Sequence, residues 1–150
     1  MTFERALRLF LGLLAATIVN VATAADPLHH QEVSIKNPGG KDLVMKFEET
    51  RRDEKTSTAK VTRISGASVA SSMFIVQGFY DIANLRGASH FVKLKEWRAD
   101  DGNVMYLVGF ANDDKKPIPA YFNLSESDGK SADTKFFSVK DYDQIFKPGK

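Results

Sequence analysis

The chain of 150 residues contains no cysteine. That excludes disulfides, a lipid-modified cysteine and any zinc site built on thiolates. Its stability must come from its core and its hydrogen bonds alone. Charge of one sign is also missing. Twenty-one Lys and Arg face 19 Asp and Glu, with no long block of either. A nucleic-acid binder carries a basic face, and none is visible, so no nucleic-acid partner is expected. The phosphate loop, the dinucleotide fingerprint and the nucleophile elbow are absent as well. No internal repeat or low-complexity tract occurs. The N-terminal apolar run, Leu9 to Val19, is interrupted by Thr17 and falls short of the roughly 20 residues that span a bilayer.

What is present begins at that run. Arg5 and Arg8 precede it, and Ala22 and Ala24 follow as a small-x-small site. A basic start, a short apolar stretch and a small-residue site are the parts of a secretory signal peptide. Cleavage is expected after Ala24, with Ala25 next. Residues 1–24 are then a signal. Residues 25–150 form a single small domain with a flexible lead-in and no stable membrane anchor. Removing Arg5, Arg8 and Glu4 leaves 19 basic against 18 acidic residues. The expected location is periplasmic or secreted, in a bacterial envelope.

Along the mature chain, "EVSIKN" (32–37) reads as a short strand ended by Pro38-Gly39-Gly40. In "DLVMKFEE" Leu43, Met45 and Phe47 alternate with Lys46 and Glu48, the period of a half-buried strand. "TRRDEKTS" (50–57) reads as a solvated turn. "AKVTRIS" (59–65) is the next strand, with Thr62 and Ile64 on one face and Val61 on the other. "HFVKLKEW" (90–97), an Asp101-Gly102 turn and "VMYLVGF" (104–110) form a hairpin. Its second strand is apolar on both faces and so needs cover on both. The C-terminal segment, a curled sheet or a partner subunit are the candidates for the second cover. "AYFNL" (120–124) and "TKFFSV" (134–139) read as short strands, "SESDGKSAD" as a turn. "SVKDYDQIF" spaces Val139, Tyr142, Ile145 and Phe146 as a short C-terminal helix that Ser138 can cap. The sum is α+β: an antiparallel sheet of five to six strands with one long helix inserted midway.

That helix, about 69–86, carries the main functional signal. Wound at 100° per residue, Gln77, Asp81 and Asn84 make a narrow polar stripe. Ile75, Val76, Phe79, Tyr80, Ile82, Ala83 and Leu85 fill most of the rest, with Met73 and Phe74 flanking the stripe. One sheet needs an apolar face of only about 100°. Gly78 lies in the apolar arc, where it costs about 1 kcal/mol relative to Ala, and so marks a close approach. Gly87 suits a left-handed cap, with Arg86 in the last turn.

Groups suited to catalysis are few. His29 and His30 sit in the lead-in, where a solvated tail is the simplest reading. His90 adjoins Ser89, but neighbours along a strand point to opposite faces. The acidic pairs Glu48-Glu49, Asp100-Asp101 and Asp113-Asp114 read as solvated. Asp81 can pair with Arg86 or with nothing, and reads by default as a surface residue. No metal and no cofactor is expected, and no enzyme activity. The leading expectation is a binding protein that sets the surplus apolar face of the helix against an envelope protein or a second copy. Met73, Phe74, Phe79, Tyr80, Trp97 and Tyr106 are the contact candidates. The alternative is a small apolar ligand held between helix and sheet by residues such as Phe79, Ile82, Tyr106 and Phe110, with Gly78 and Gly109 making room. A hydrolase using His90 is the weakest reading.

Overall fold

The computed structural model describes residues 26–36, 38–66, 70–147 and 149. The expected signal and its cleavage site lie outside them.

Six strands form one antiparallel sheet: β1 (His30–Ile35), β2 (Leu43–Arg52), β3 (Thr56–Ser65), β4 (His90–Arg98), β5 (Val104–Ala111) and β6 (Phe137–Ser138). Their order across the sheet is β1-β2-β3-β5-β4-β6. The helix α1 (Ala70–Leu85) carries the chain from β3 over β5 to β4. It ends as its sequence requires. Gly87 is left-handed at φ 65°. The Ala88 N–H reaches the Ala83 carbonyl at 2.9 Å and the Gly87 N–H that of Asn84 at 3.0 Å. These two bonds satisfy carbonyls that the helix leaves open.

Strand parity sets the core. Leu43, Met45, Phe47, Ala59, Val61, Tyr106, Val108 and Phe110 point to one face and meet Phe74, Phe79, Tyr80, Ile82 and Ala83 of α1. The closest approach is at Gly78, where a Cβ would lie 2.5 Å from the ring of Phe47. Any larger residue would push the helix off the sheet. The C-terminal helix α4 (Val139–Phe146) packs on the same face through Val139, Tyr142 and Phe146. Ser138 is its N-cap residue, but its hydroxyl makes no capping bond.

The second cover of β5 is not the C-terminal helix. It is the segment that follows β5. The short helices α2 (Ile118–Tyr121) and α3 (Glu126–Ser131) lay Ile118, Phe122, Leu124 and Phe136 on Val92, Leu94 and Leu107. Phe122 occupies the space above Gly109, where a Cβ would stand 2.4 Å from the ring.

This corrects several expectations. Residues 120–124 are not a strand: Pro117 and Pro119 open a helical turn, in which the Phe122 N–H bonds the Ile118 carbonyl at 3.1 Å. Proline suits a helix start and removes strand donors. Residues 126–131 are a helix, not a turn, because Ser125 accepts the Asp128 N–H. Only Phe137–Ser138 of the expected last strand pairs, with β4. β2 and β3 run on to Arg52 and from Thr56, so the solvated turn shrinks to Asp53–Lys55. Val61 and Ile64 lie on opposite faces as expected, with Val61 in the core and Ile64 exposed. The lead-in is tied down. The His29 N–H donates to the Glu49 carboxylate at 3.0 Å, and the His29 ring lies 6.0 Å from that of Phe47.

Candidate functional site

Two concave places carry chemistry among the described residues. The first is a groove of about 200 Å³ where α1, β4–β5 and the β6–α4 corner meet. Ile75, Val76 and Phe79 of α1 form one wall, Phe91 and Tyr106 the floor, and Phe137 and Tyr142 the other wall. The rings interlock. Phe79 meets Tyr106 edge-on at 5.4 Å, and Phe91 lies 5.7 Å from Phe137 and 5.6 Å from Tyr142. Tyr106 is 8% exposed, and its hydroxyl makes no hydrogen bond among the described residues. Burial, and then the negative charge of Glu96, push its pKa up to about 12 against a smaller opposite effect of Arg63. It is therefore a neutral phenol, free to donate or accept.

The rim of the groove is charged. Lys93, Glu96 and Asp133 line it, with Lys93 Nζ 3.5 Å from Glu96 and 3.9 Å from Asp133. A shift of register in β4 between Lys93 and Lys95 creates this arrangement. Without it Lys93 and Trp97 would share a face. With it Lys93 enters the groove on the α1 side, while Trp97 pairs with Met105 on the opposite face of the sheet.

The second place is an open polar hollow of about 470 Å³ beside the β2–β3 turn, bordered by Arg52, Lys55, Arg86, Phe110, Asn112 and Tyr121 among others. Its arginines already have structural work. Glu49, whose side chain is wholly inaccessible, accepts from Arg52 through both oxygens, from the Ser57 hydroxyl at 2.6 Å and from the His29 N–H. Burial acts to raise the carboxyl pKa of Glu49, but the hydrogen bonds from Arg52, His29 and Ser57 outweigh it and hold it below the ordinary value. Arg86 does not pair with Asp81. It donates to the carbonyls of Asp53 and Glu54 at 2.8 and 2.6 Å and lies 4.8 Å from the Phe110 ring. It holds the β2–β3 turn against the end of α1. Glu49 was expected to be solvated; its parity with Leu43, Met45 and Phe47 is the signal that places it inward.

Asp81 faces His29 instead, at 3.9 Å. His29 Nε2 is buried with no hydrogen-bond partner. Burial raises the Asp81 carboxyl above its ordinary 3.8, against the opposing pull of His29 and Lys147. A raised pKa in the folded state means that stability is gained below the unfolded value and lost as pH rises through the folded one. Asp81→Asn should therefore raise the melting temperature at pH 7, with the gain closing toward pH 3. Calorimetry across that range checks it; an equal shift at both pH values would contradict it.

The contact candidates separate. Phe79 and Tyr106 meet at the groove. Phe74 is buried in the core, and Tyr80 is fully buried, bonded through its hydroxyl to Asp143 of α4. Neither offers a surface to a partner. Met73 is 42% exposed and Leu85 53%, but 12 positions separate them, about 18 Å along the helix axis, so they make no common patch. Trp97 is 37% exposed on the far side of the sheet. Ile82 and Phe110 are core residues. Ile75, Val76, Phe91, Lys93, Glu96, Asp133, Phe137 and Tyr142 were not foreseen as site residues.

His90 departs from expectation in one respect. Its Nδ1 lies 2.8 Å from Ser89 Oγ, because Ser89 precedes the strand and escapes its alternation. Among the described residues His90 makes no ion pair with a carboxylate and lines neither hollow. No group of three or more His, Asp or Glu among them is placed to hold a metal ion, and no described helix is long and apolar enough to cross a membrane. No protein-family model matches the chain, and neither the curated proteins nor the solved structures contain a match to it.

Proposed function

We propose that this is an exported, non-enzymatic binding protein whose site is the aromatic groove between α1 and the sheet, taking a small, largely apolar ligand. The observation that carries the reading is the union in one hollow of seven apolar or aromatic side chains, among them the buried phenol of Tyr106, whose hydroxyl makes no hydrogen bond among the described residues. Apolar walls with few, placed polar groups are the usual make-up of a ligand site. At about 200 Å³ the groove is smaller than the ~300–1,000 Å³ of drug-sized sites, so the ligand is about the size of one ring or one branched group. The sequence of residues 1–24 supports export. A protein partner on the helix face has less support than the sequence alone gave it, because α4 and the sheet cover most of the apolar arc of α1.

Native mass spectrometry of the protein purified from the periplasm of its host tests this directly. The expected species begins at Ala25 and carries a small added mass. Val76→Trp, which fills the groove from the half-exposed side of α1, should fold and lose that mass. Retention of the same mass by Val76→Trp would place the ligand elsewhere.

A further inference from the structure

The rim and the walls of the groove have different chemistry, and together they select a class of ligand. Five of the seven apolar wall residues are aromatic: Phe79, Phe91, Tyr106, Phe137 and Tyr142. The charged groups on the lining are two carboxylates, Glu96 and Asp133, and one ammonium, Lys93. Lys93 lies between the two acids at 3.5 and 3.9 Å. Among the lining residues one cation faces two anions; Arg63 acts from outside the lining, and at Tyr106 its effect is smaller than that of Glu96, so the rim keeps a surplus negative charge over an aromatic interior. The side chain of Glu96 is half exposed, and that of Asp133 about a third, so both remain open to an incoming group. Aromatic rings carry negative charge on their faces and attract cations, most strongly when the cation is partly desolvated. The phenol of Tyr106, neutral and unpartnered, adds an oxygen able to accept a hydrogen bond from an N–H.

We propose that the ligand of this groove is a small organic cation, an alkylated or primary ammonium on an apolar body of a few carbons. This rests on the groove being the binding site. A neutral molecule of the same shape would satisfy the apolar walls and leave the rim charge unanswered. An organic anion would meet like charge at the rim.

Isothermal titration calorimetry on the full mature chain at low ionic strength distinguishes these cases. The probes are choline, its uncharged carbon isostere 3,3-dimethyl-1-butanol, and the anion 3,3-dimethylbutyrate. Choline is expected to bind at least about tenfold more tightly than the isostere, and the butyrate not to bind. The Glu96 side chain is half exposed and glutamine keeps its shape, so Glu96→Gln should fold normally and reduce the preference for the cation several-fold. Val76→Trp should abolish binding of both choline and isostere. If choline and isostere bind equally and both are lost in Val76→Trp, the groove is a site but not for cations, and the inference is overturned alone. If neither probe binds, the inference falls together with the reading on which it rests.

Discussion

Glu49→Ala should lose about 3–5 kcal/mol of folding stability, measured by urea unfolding at pH 7. The carboxylate is wholly inaccessible and is the common acceptor of Arg52, Ser57 and the His29 N–H. Removing one partner of such a cluster leaves the others buried without compensation, and breaking a buried pair is costly in that range. Arg52 keeps a side exposed to water, which places the value toward the lower end. Glu49→Gln keeps the shape and part of the bonding and should lose less. The pH dependence has a definite sign. The folded pKa of Glu49 lies below its ordinary 4.5, so its contribution is complete above the unfolded value and disappears as pH falls through the folded one. The wild type should therefore weaken on acidification more steeply than Glu49→Ala. A loss under 1 kcal/mol with parallel pH profiles would show that the cluster is a solvated surface feature.

Gly78→Val is expected to cost about 3 kcal/mol, at the upper end of what overpacking a tight core costs. Replacing a helical glycine ordinarily stabilises, by up to about 1 kcal/mol for alanine. The opposite sign is expected here because the new Cβ would enter the ring of Phe47, 2.5 Å away, and Phe47 is itself fully buried. The steric origin is tested by a double-mutant cycle. Phe47→Ala alone should cost about 3–5 kcal/mol by leaving a cavity. With Phe47→Ala in place, Gly78→Val should cost much less, because its side chain enters the vacated space, giving a coupling of at least about 1 kcal/mol. Additive losses would mean that Gly78 is required for its backbone, not for its lack of a side chain.

Glu49 and Gly78 also show what the sequence makes legible. Gly78 stood in the apolar arc of an expected helix, and its role in close packing follows from that position. Glu49 was equally legible, since it continues the inward parity of Leu43, Met45 and Phe47. Its neighbour Glu48 and the charges after it made a solvated end the simpler reading. The α+β class, the long central helix with its Gly87 cap, the two-faced strand β5 and the C-terminal helix were all readable from local periodicity and turn chemistry. The helices α2 and α3 were not. Ala120 to Leu124 has the composition of a strand, and only Pro119 before it and the outer face of β5 beneath it decide for a helical turn. Tertiary demand overrides weak local preference there.

The groove was half legible. Phe79 was named from the apolar arc of the helix and Tyr106 from a strand apolar on both faces. Phe137 and Tyr142 are brought to them by the packing of α4 beside α1, which the spacing of Val139, Tyr142 and Phe146 predicts as a helix without saying where it rests. Lys93 and Glu96 join the rim through a register shift in β4, and Asp133 through a bond from its N–H to the Lys93 carbonyl at 2.9 Å. A shift of one residue moves every later side chain of a strand to the other face. Strict alternation would put Trp97 on the same face as Lys93; the shift puts it on the other.

The central claim is that this groove takes a ligand. Methyl-resolved NMR of the mature protein, titrated with toluene as a neutral probe of the size of one ring, tests it most directly. The account predicts saturable shifts at the methyl groups of Ile75 and Val76 in the groove, with Ile64 and Leu124 unmoved. Uniform small shifts across all four, or saturation at Leu124 with Ile75 and Val76 silent, would contradict it.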